Sequence, residues 1–377
     1  MKRRCWAVVL VVFSLALFLH AQLDKILIPA GTPEDQALQA ITNEADAEKR
    51  LAMYQDFVQK FSGNPAAVAY GNWQISQYYQ TANDLPKALE YADKALGGSP
   101  HNLDILVSAT NIAQQMKNNA KVMDYAVAGG EAYNGIAKQP KPEGLSDQDF
   151  AIRLDEEKAA GRNSYEFLEA AAYNAIAEVA DGKTRMAYIE RFTPAFPNSR
   201  FEEAITSYAM VALSDLKDMG RLVSYGEKTL ATNPNSLPTL IMLASAYVDD
   251  AKPGSAAKAI TYSQKAIEVA KPDAPDADRS RKLSAGMAHS VIGRAYMKED
   301  KMAAAIPELK TASGLLKGMD DQQYAIASYY LGFAYAKLNK LTEAREVLTE
   351  SAKIAGPVQP MTQDLLTKVN AARAKGK

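Results

Sequence analysis

From residue 33 to residue 373, apolar side chains recur at three- and four-residue spacing. That is the period of a helix with one buried face. Short polar breaks, many carrying Gly, Pro, Asn or Asp, interrupt it at regular intervals. The pattern predicts helices over 34–45 and 47–61, 66–80 and 85–97, and 102–117 and 120–134. A polar helix over about 147–162 then runs into an apolar one over 165–180, with a partner over 183–193. Further pairs follow at 200–216 and 219–232, 237–250 and 255–270, 278–298 and 301–315, and 321–338 and 341–355, with a polar closing helix over 361–373. Residues 23–31 form a short extended lead-in, and 138–144 and 271–276 are Pro-containing loops. Thr32 before Pro33, Glu34 and Asp35 is a helix start, with cap, proline and first-turn acids in place. Ser146 and Asp149, flanked by Leu145 and Phe150, fit a capping box with a hydrophobic staple.

Within this pattern one figure repeats. Residues 331–357 place Leu331-Gly332, then Tyr335, a polar break at Asn339-Lys340, then Ala344, Leu348 and Ser351 on one face, and Gly356-Pro357 as an expected helix stop. Residues 292–312 give Ile292-Gly293, Tyr296, Ala305, Leu309 and Ala312. Residues 75–100 give Ile75-Ser76, Tyr79, Ala88, Ala92, Ala95 and Pro100. Residues 243–266 give Leu243-Ala244, Tyr247, Ala259 and Ala266, with one more turn between the helices. Small residues allow two backbones to approach, and the larger ones fill the space between them. Gly332 and Ala344 are expected at the closest approach of their helices.

This spacing resembles the tetratricopeptide repeat (TPR), a helix-turn-helix unit of about 34 residues. The resemblance covers roughly residues 34–357. It implies an all-α, right-handed α-solenoid of about eight helix pairs over 34–377, ending in a capping helix, and a scaffold that binds partners rather than a catalyst. FVQKFSGNP (57–65) and FTPAFPNSR (192–200) look like the repeats of periplasmic outer-membrane assembly lipoproteins and cell-envelope coordinators.

The resemblance also sorts the aromatic residues. Tyr79, Tyr247, Tyr296 and Tyr335 fall on its packing position and belong to the core. Trp73, Gln77, Arg294, Tyr329 and Phe333 fall on first-helix positions that line the concave groove, where aromatics can anchor a ligand. Tyr329 and Phe333 adjoin the closing helix and can equally be covered by it. The Lys/Asn pattern that clamps a C-terminal carboxylate in some relatives is absent: Trp73 and Gln77 stand in those places. Asn43, Gln77 and Asn111 are spaced by one repeat, as are Gln80 and Gln114. Side-chain amides carry both a donor and an acceptor and can pair with an extended peptide backbone. The competing interpretation is a set of solvated helix-surface residues.

Charge is balanced, 43 basic against 44 acidic residues, and does not point to nucleic acid. The N-terminus departs from the rest. Lys2, Arg3 and Arg4 precede an apolar run from Cys5 to Leu19 and then His20-Ala21-Gln22. Residues 1–21 therefore read as a signal peptide cleaved after Ala21, and 22–33 as the lead-in; the apolar run is short for a membrane span, which needs about 17–25 residues. Leu19 is large for the position three before the cut, so an uncleaved anchor remains the alternative. Cleavage takes the formal charge from −1 to −4 and removes the one cysteine, leaving no disulfide or thiolate metal site. Three His, with His289 at a packing position, and no HExxH, GxSxG, Walker loop or GxGxxG leave no catalytic, metal or cofactor site to propose. The expectation is a non-catalytic exported scaffold, without a cofactor, that binds a protein or peptide in the cell envelope. The alternative is a membrane-anchored envelope assembly factor.

Overall fold

A computed structural model describes residues 25–375. Among these the chain forms seventeen α-helices and a single 3-10 turn, with no strand. It divides into two compact units: one runs to Glu178 and includes Glu190–Ser199, and the other holds Val179–Ile189 and Arg200–Lys377. The first unit contains α1 (Pro33–Thr42), α2 (Ala47–Lys60), α3 (Pro65–Thr81), α4 (Leu85–Gly98), α5 (Leu103–Gln115), α6 (Asn119–Gly135) and α7 (Asp147–Glu178). Helix α8 (Gly182–Ala195) contributes its end to the first unit and its start to the second. The second unit continues with α9 (Glu202–Asp215), α10 (Met219–Thr232), α11 (Leu237–Asp249), α12 (Ser255–Ala270) and α13 (Arg279–Lys298). It closes with α14 (Met302–Leu316), α15 (Asp321–Lys337), α16 (Leu341–Ser351) and α17 (Gln359–Lys375).

Inside each unit, successive helices pack on one another. In the second unit the first helices also stack in a row, α9 on α11, α11 on α13, α13 on α15 and α15 on α17. This nearest-neighbour order makes the chain an all-α helical repeat solenoid. The signal-peptide assignment, residues 1–21, lies outside the described residues.

Five helix-to-helix breaks share one geometry. Their middle residues, Asn83, Lys117, Lys217, Asp300 and Asn339, hold φ between 54° and 59°. The next residue's N–H reaches back five positions, Asp84 to Tyr79, Asn118 to Ala113, Asp218 to Leu213, Lys301 to Tyr296 and Lys340 to Tyr335, each at 2.9 Å. This is the Schellman ending of a helix, built here without glycine. In three of the breaks the same residue starts the following helix: Asp84, Asn118 and Asp218 accept the N–H of Lys87, Lys121 and Arg221. Three residues thus satisfy two helix ends and set the hairpin angle.

The small positions lie where the spacing placed them. Ala88, Ala92, Ala95, Ala259, Ala266, Ala305, Ala312 and Ala344 are fully buried. A Cβ on Gly332 would stand 2.5 Å from Leu348 Cγ, and one on Gly293 would stand 2.5 Å from Leu309 Cγ. The closest neighbour of Gly332 is therefore Leu348, one turn beyond the expected Ala344. Tyr247 and Tyr335 are buried, and Tyr79 and Tyr296 are half-buried. Tyr79 stacks on Tyr91 (5.5 Å, 22°) under the Lys87 ammonium, and Tyr247 on Tyr262 (5.7 Å, 8°) under that of Lys258. His289 packs with its Nδ1 2.6 Å from Glu308 Oε2, a structural contact between α13 and α14.

Three local expectations change. Residues 147–162 and 165–180 form one 32-residue helix. Gly161, near the junction of the two stretches, marks a close approach, where a Cβ would stand 2.9 Å from Leu103 Cδ1 and 3.2 Å from Tyr133 Cδ2. The Ser146 hydroxyl accepts the Asp149 N–H at 3.1 Å and donates to Asp149 Oδ2 at 2.6 Å, so the return arm of the capping box ends on the hydroxyl. Helix α16 stops at Ser351 rather than at Gly356, as Lys353 and Ile354 bond back three residues into a tightened turn. That turn brings α17 over α15 and α16, burying Val369 with Leu331, Tyr335 and Leu348.

Two glycines test the packing with opposite signs. Gly332→Leu overpacks Leu348 and should lower stability by about 1–3 kcal/mol. Gly314, inside α14 with nothing near its Cβ position, should gain about 0.5–1 kcal/mol on Gly314→Ala. Denaturant unfolding of both variants checks the pair, and an unchanged midpoint for Gly332→Leu would refute the assigned contact.

Candidate functional site

The strongest feature of the first unit is built around Trp73. It lies on α3 one turn after Tyr70 and is half-buried. Its indole Nε1 is buried, and no described group accepts its proton. The ring itself is half-buried and borders open space. Beside it is a cavity of about 350 Å³, lined by Tyr70 and Trp73 of α3, Leu103 and Asp104 at the start of α5, Glu157, Ala160, Gly161 and Ser164 of α7, Asn102, and Lys25 and Ile26 of the lead-in. The walls come from α3, α5 and α7, the first helices of successive pairs.

Helix α7 closes this cavity because of its contacts on either side. Tyr165 stacks on Tyr133 (4.4 Å, 30°) and leans on Phe196 (5.3 Å), while Gly161 lets the backbone approach Leu103. One turn before Gly161, Glu157 is carried inward and only 8% exposed. Its carboxylate accepts from Gln139 Nε2 at 2.9 Å, Arg153 Nε at 3.3 Å and Lys25 Nζ at 3.5 Å. Burial works against its charge, yet the hydrogen bonds from Gln139 and Arg153 and the positive charges of Lys25 and Arg153 hold its pKa below the usual 4.5. The cavity therefore joins an apolar wall and an ionised carboxylate.

The other predicted groove residues are placed as follows. Gln77 on α3 is exposed one turn from Trp73, and Gln80 is half-buried. Asn111 on α5 is exposed, its Oδ1 taken by Gln115 Nε2 at 2.9 Å. Asn43 is the C-cap of α1, beyond the helix, so it is not equivalent in backbone position to Gln77 and Asn111. Gln114 lines a second cavity of about 390 Å³ with Lys117, Asn119, Asn174 and Glu178. In the second unit, Arg294 pairs with Asp249 and covers the Tyr330 ring at 5.2 Å. Tyr329 meets Tyr330 edge-on at 5.2 Å; burial raises its pKa, as do Tyr330 and the charge of Asp364 on α17, which places it beside the closing helix. Phe333 is half-buried under the Lys337 ammonium.

Sequence reasoning missed Glu157, Ser164, Tyr70, Lys25 and Ile26. Glu157 sits in a helix segment that reads as solvated, and its one local signal is Arg153 four residues before. Lys25 and Ile26 reach the cavity through tertiary contact alone.

No protein-family model matches the chain, and no curated protein matches it. Among solved structures it is similar to the TPR domain of P58(IPK), with 13% identity over 82% of this chain and 99% of that one and a TM-score of 0.31. It is similar to a human IFIT1 dimer with PPP-AAAA, with 14% identity over 91% of this chain and 81% of that one and a TM-score of 0.40. It is also similar to PilW, a widely conserved type IV pilus biogenesis factor, with 19% identity over 66% of this chain and 98% of that one and a TM-score of 0.25. At these values the likenesses assign no function, and the repeat architecture rests on the helices, turns and packing above.

The carboxylate gives a pH test. A pKa held down in the fold adds stability that is present above the unfolded value of about 4.5 and is lost as pH falls through the folded value. Glu157→Gln should be less stable than wild type at about pH 7, and the difference should shrink as pH drops below about 4.5. Denaturant midpoints across that range check it; a difference that stays constant or widens toward acid would contradict the assignment.

Proposed function

We propose that this chain is a non-catalytic, exported scaffold that binds a protein or peptide partner in the cell envelope, with the surface formed by α3, α5 and α7 as its binding face. The observation that carries this reading is the Trp73 cavity, with Tyr70 and Trp73 of α3 on one side, Leu103 of α5 beside them and the inward Glu157 of α7 opposite. An aromatic anchor in a largely preformed recess, with a few convergent polar groups, is the usual composition of a binding hot spot. Gln77 and Asn111 extend the same pair of helices with exposed amides. Export is supported by the Lys2-Arg3-Arg4 start and the apolar run to Leu19. The absence of a catalytic role is supported by the sequence, which holds three His and no nucleophile or phosphate-binding motif. If residues 1–21 stay attached, the same scaffold is membrane-anchored, and Leu19 near the cut favours that second reading.

A photo-crosslinking side chain at Gln77 of the full chain, expressed in cells, should trap a discrete adduct. Trp73→Ala should reduce its yield about tenfold, equivalent to about 1.4 kcal/mol. An adduct unaffected by Trp73→Ala would remove the cavity from the binding face. Intact mass decides export: a mature chain starting at Gln22 is expected, and full-length protein in a salt-washed membrane pellet would replace the soluble form with the anchored one.

A further inference from the structure

We infer that the lead-in segment Lys25–Pro29 is an intramolecular occupant of the Trp73 cavity, and that the partner it stands in for is an extended peptide with a basic residue followed by apolar residues at the first and third positions after it. This rests on the binding face proposed above and names the chemistry of its ligand.

The segment behaves as a bound peptide does. Ile26 and Ile28 are half-buried, and Leu27 between them is 71% exposed, the alternation of an extended strand lying on a surface. Ile26 lines the cavity with Trp73, and Ile28 packs against the cluster of Ile41, Tyr54, Phe57, Ala67 and Ile75. Lys25 reaches Glu157, 132 residues further on, so the basic position meets the ionised carboxylate of α7.

The occupant is also incomplete. Lys25 Nζ stands 3.5 Å from Glu157 and is 60% exposed, the geometry of a weak pair. Open volume of about 350 Å³ remains beside the Trp73 ring. A peptide of the same pattern that also filled this volume against the Trp73 ring and paired more closely with Glu157 would bind better than the segment does, and would displace it. The tether makes displacement conditional. Gly31, at φ 79°, donates its N–H to Asp35 Oδ2 at 2.8 Å, and Thr32 caps α1, so the segment is fixed a few residues from its site. A tether this short sets an effective concentration in the millimolar range. Only partners that exceed it bind, which makes the lead-in a threshold on the groove.

The test uses the full chain with Trp6→Phe, which leaves Trp73 as the one tryptophan. The probe is a synthetic peptide with the sequence of residues 23–31, LDKILIPAG. Binding is read from Trp73 emission, with and without Ile26→Ser plus Ile28→Ser in the chain. The doubly substituted chain should bind the peptide at least tenfold more tightly than the chain with its own segment. A peptide carrying both serines should not bind, and Leu27→Ser in the chain should leave affinity unchanged. Because Ile28 touches the core, Ile26→Ser alone serves as a second variant and should show the same direction. Equal affinity for occupied and emptied chains, or no change in Trp73 emission, would overturn the inference and leave the segment as a structural strap. Carrying both chains through the Gln77 crosslinking separates the two ideas. Trp73-dependent adducts without any peptide effect would sink only this inference. Loss of every Trp73-dependent adduct would sink the binding face itself.

Discussion

Two helices of one repeat approach closely where a glycine faces a leucine, because even an alanine's Cβ would have nowhere to go. Gly293 against Leu309 and Gly332 against Leu348 are the same contact one repeat apart. Both leucines are fully buried, so each contact fixes depth as well as rotation. The Schellman turns add the third constraint by holding the hairpin angle with backbone bonds rather than with a particular side chain. Since each helix packs chiefly on its neighbours, this local geometry is passed along the unit. The array ends where α17 covers the last apolar face.

A regular array of this kind satisfies itself and leaves little for function. Three cavities among the described residues occur where the chain departs from the repeat. The Trp73 cavity needs the lead-in and the 32-residue α7. The Gln114 cavity is walled by the second half of the same long helix. In the second unit, a cavity of about 320 Å³ forms at the longer turn between α11 and α12, lined by Lys252, Pro253, Gly254 and Ser255 with Tyr247 and Lys258. Departures break the nearest-neighbour filling, so they leave volume that a ligand can use. The inward Glu157, held by Gln139, Arg153 and Lys25, lies at one of them.

Much of the fold was legible in the sequence. Helical periodicity, caps and small-residue spacing located the helix pairs, since each is a property of a few adjacent residues and repeats itself. Where expectation and structure part, a distant group decides. The polar stretch 147–162 and the apolar stretch 165–180 read as two helices, but they form one, held against Leu103 and Tyr133 at Gly161. Gly356 reads as a stop, yet α16 ends earlier to let α17 turn onto it.

The sequence by itself determined the helices, their pairing and the small positions where they touch, because those depend on spacings of three to about 34 residues within one repeat. It also singled out Trp73 by its register on a first helix. Tertiary structure alone decided what Trp73 faces. Lys25 and Glu157 meet across 132 residues, and no periodicity carries information over that distance between a lead-in and a helix that are each unlike the repeat. A polar helix segment and a short apolar lead-in have no local reason to bury a side chain. Glu157 is buried because α7 is drawn onto α5 and α6 at Gly161, and Ile28 is half-buried because the lead-in lies on the apolar face of α2 and α3.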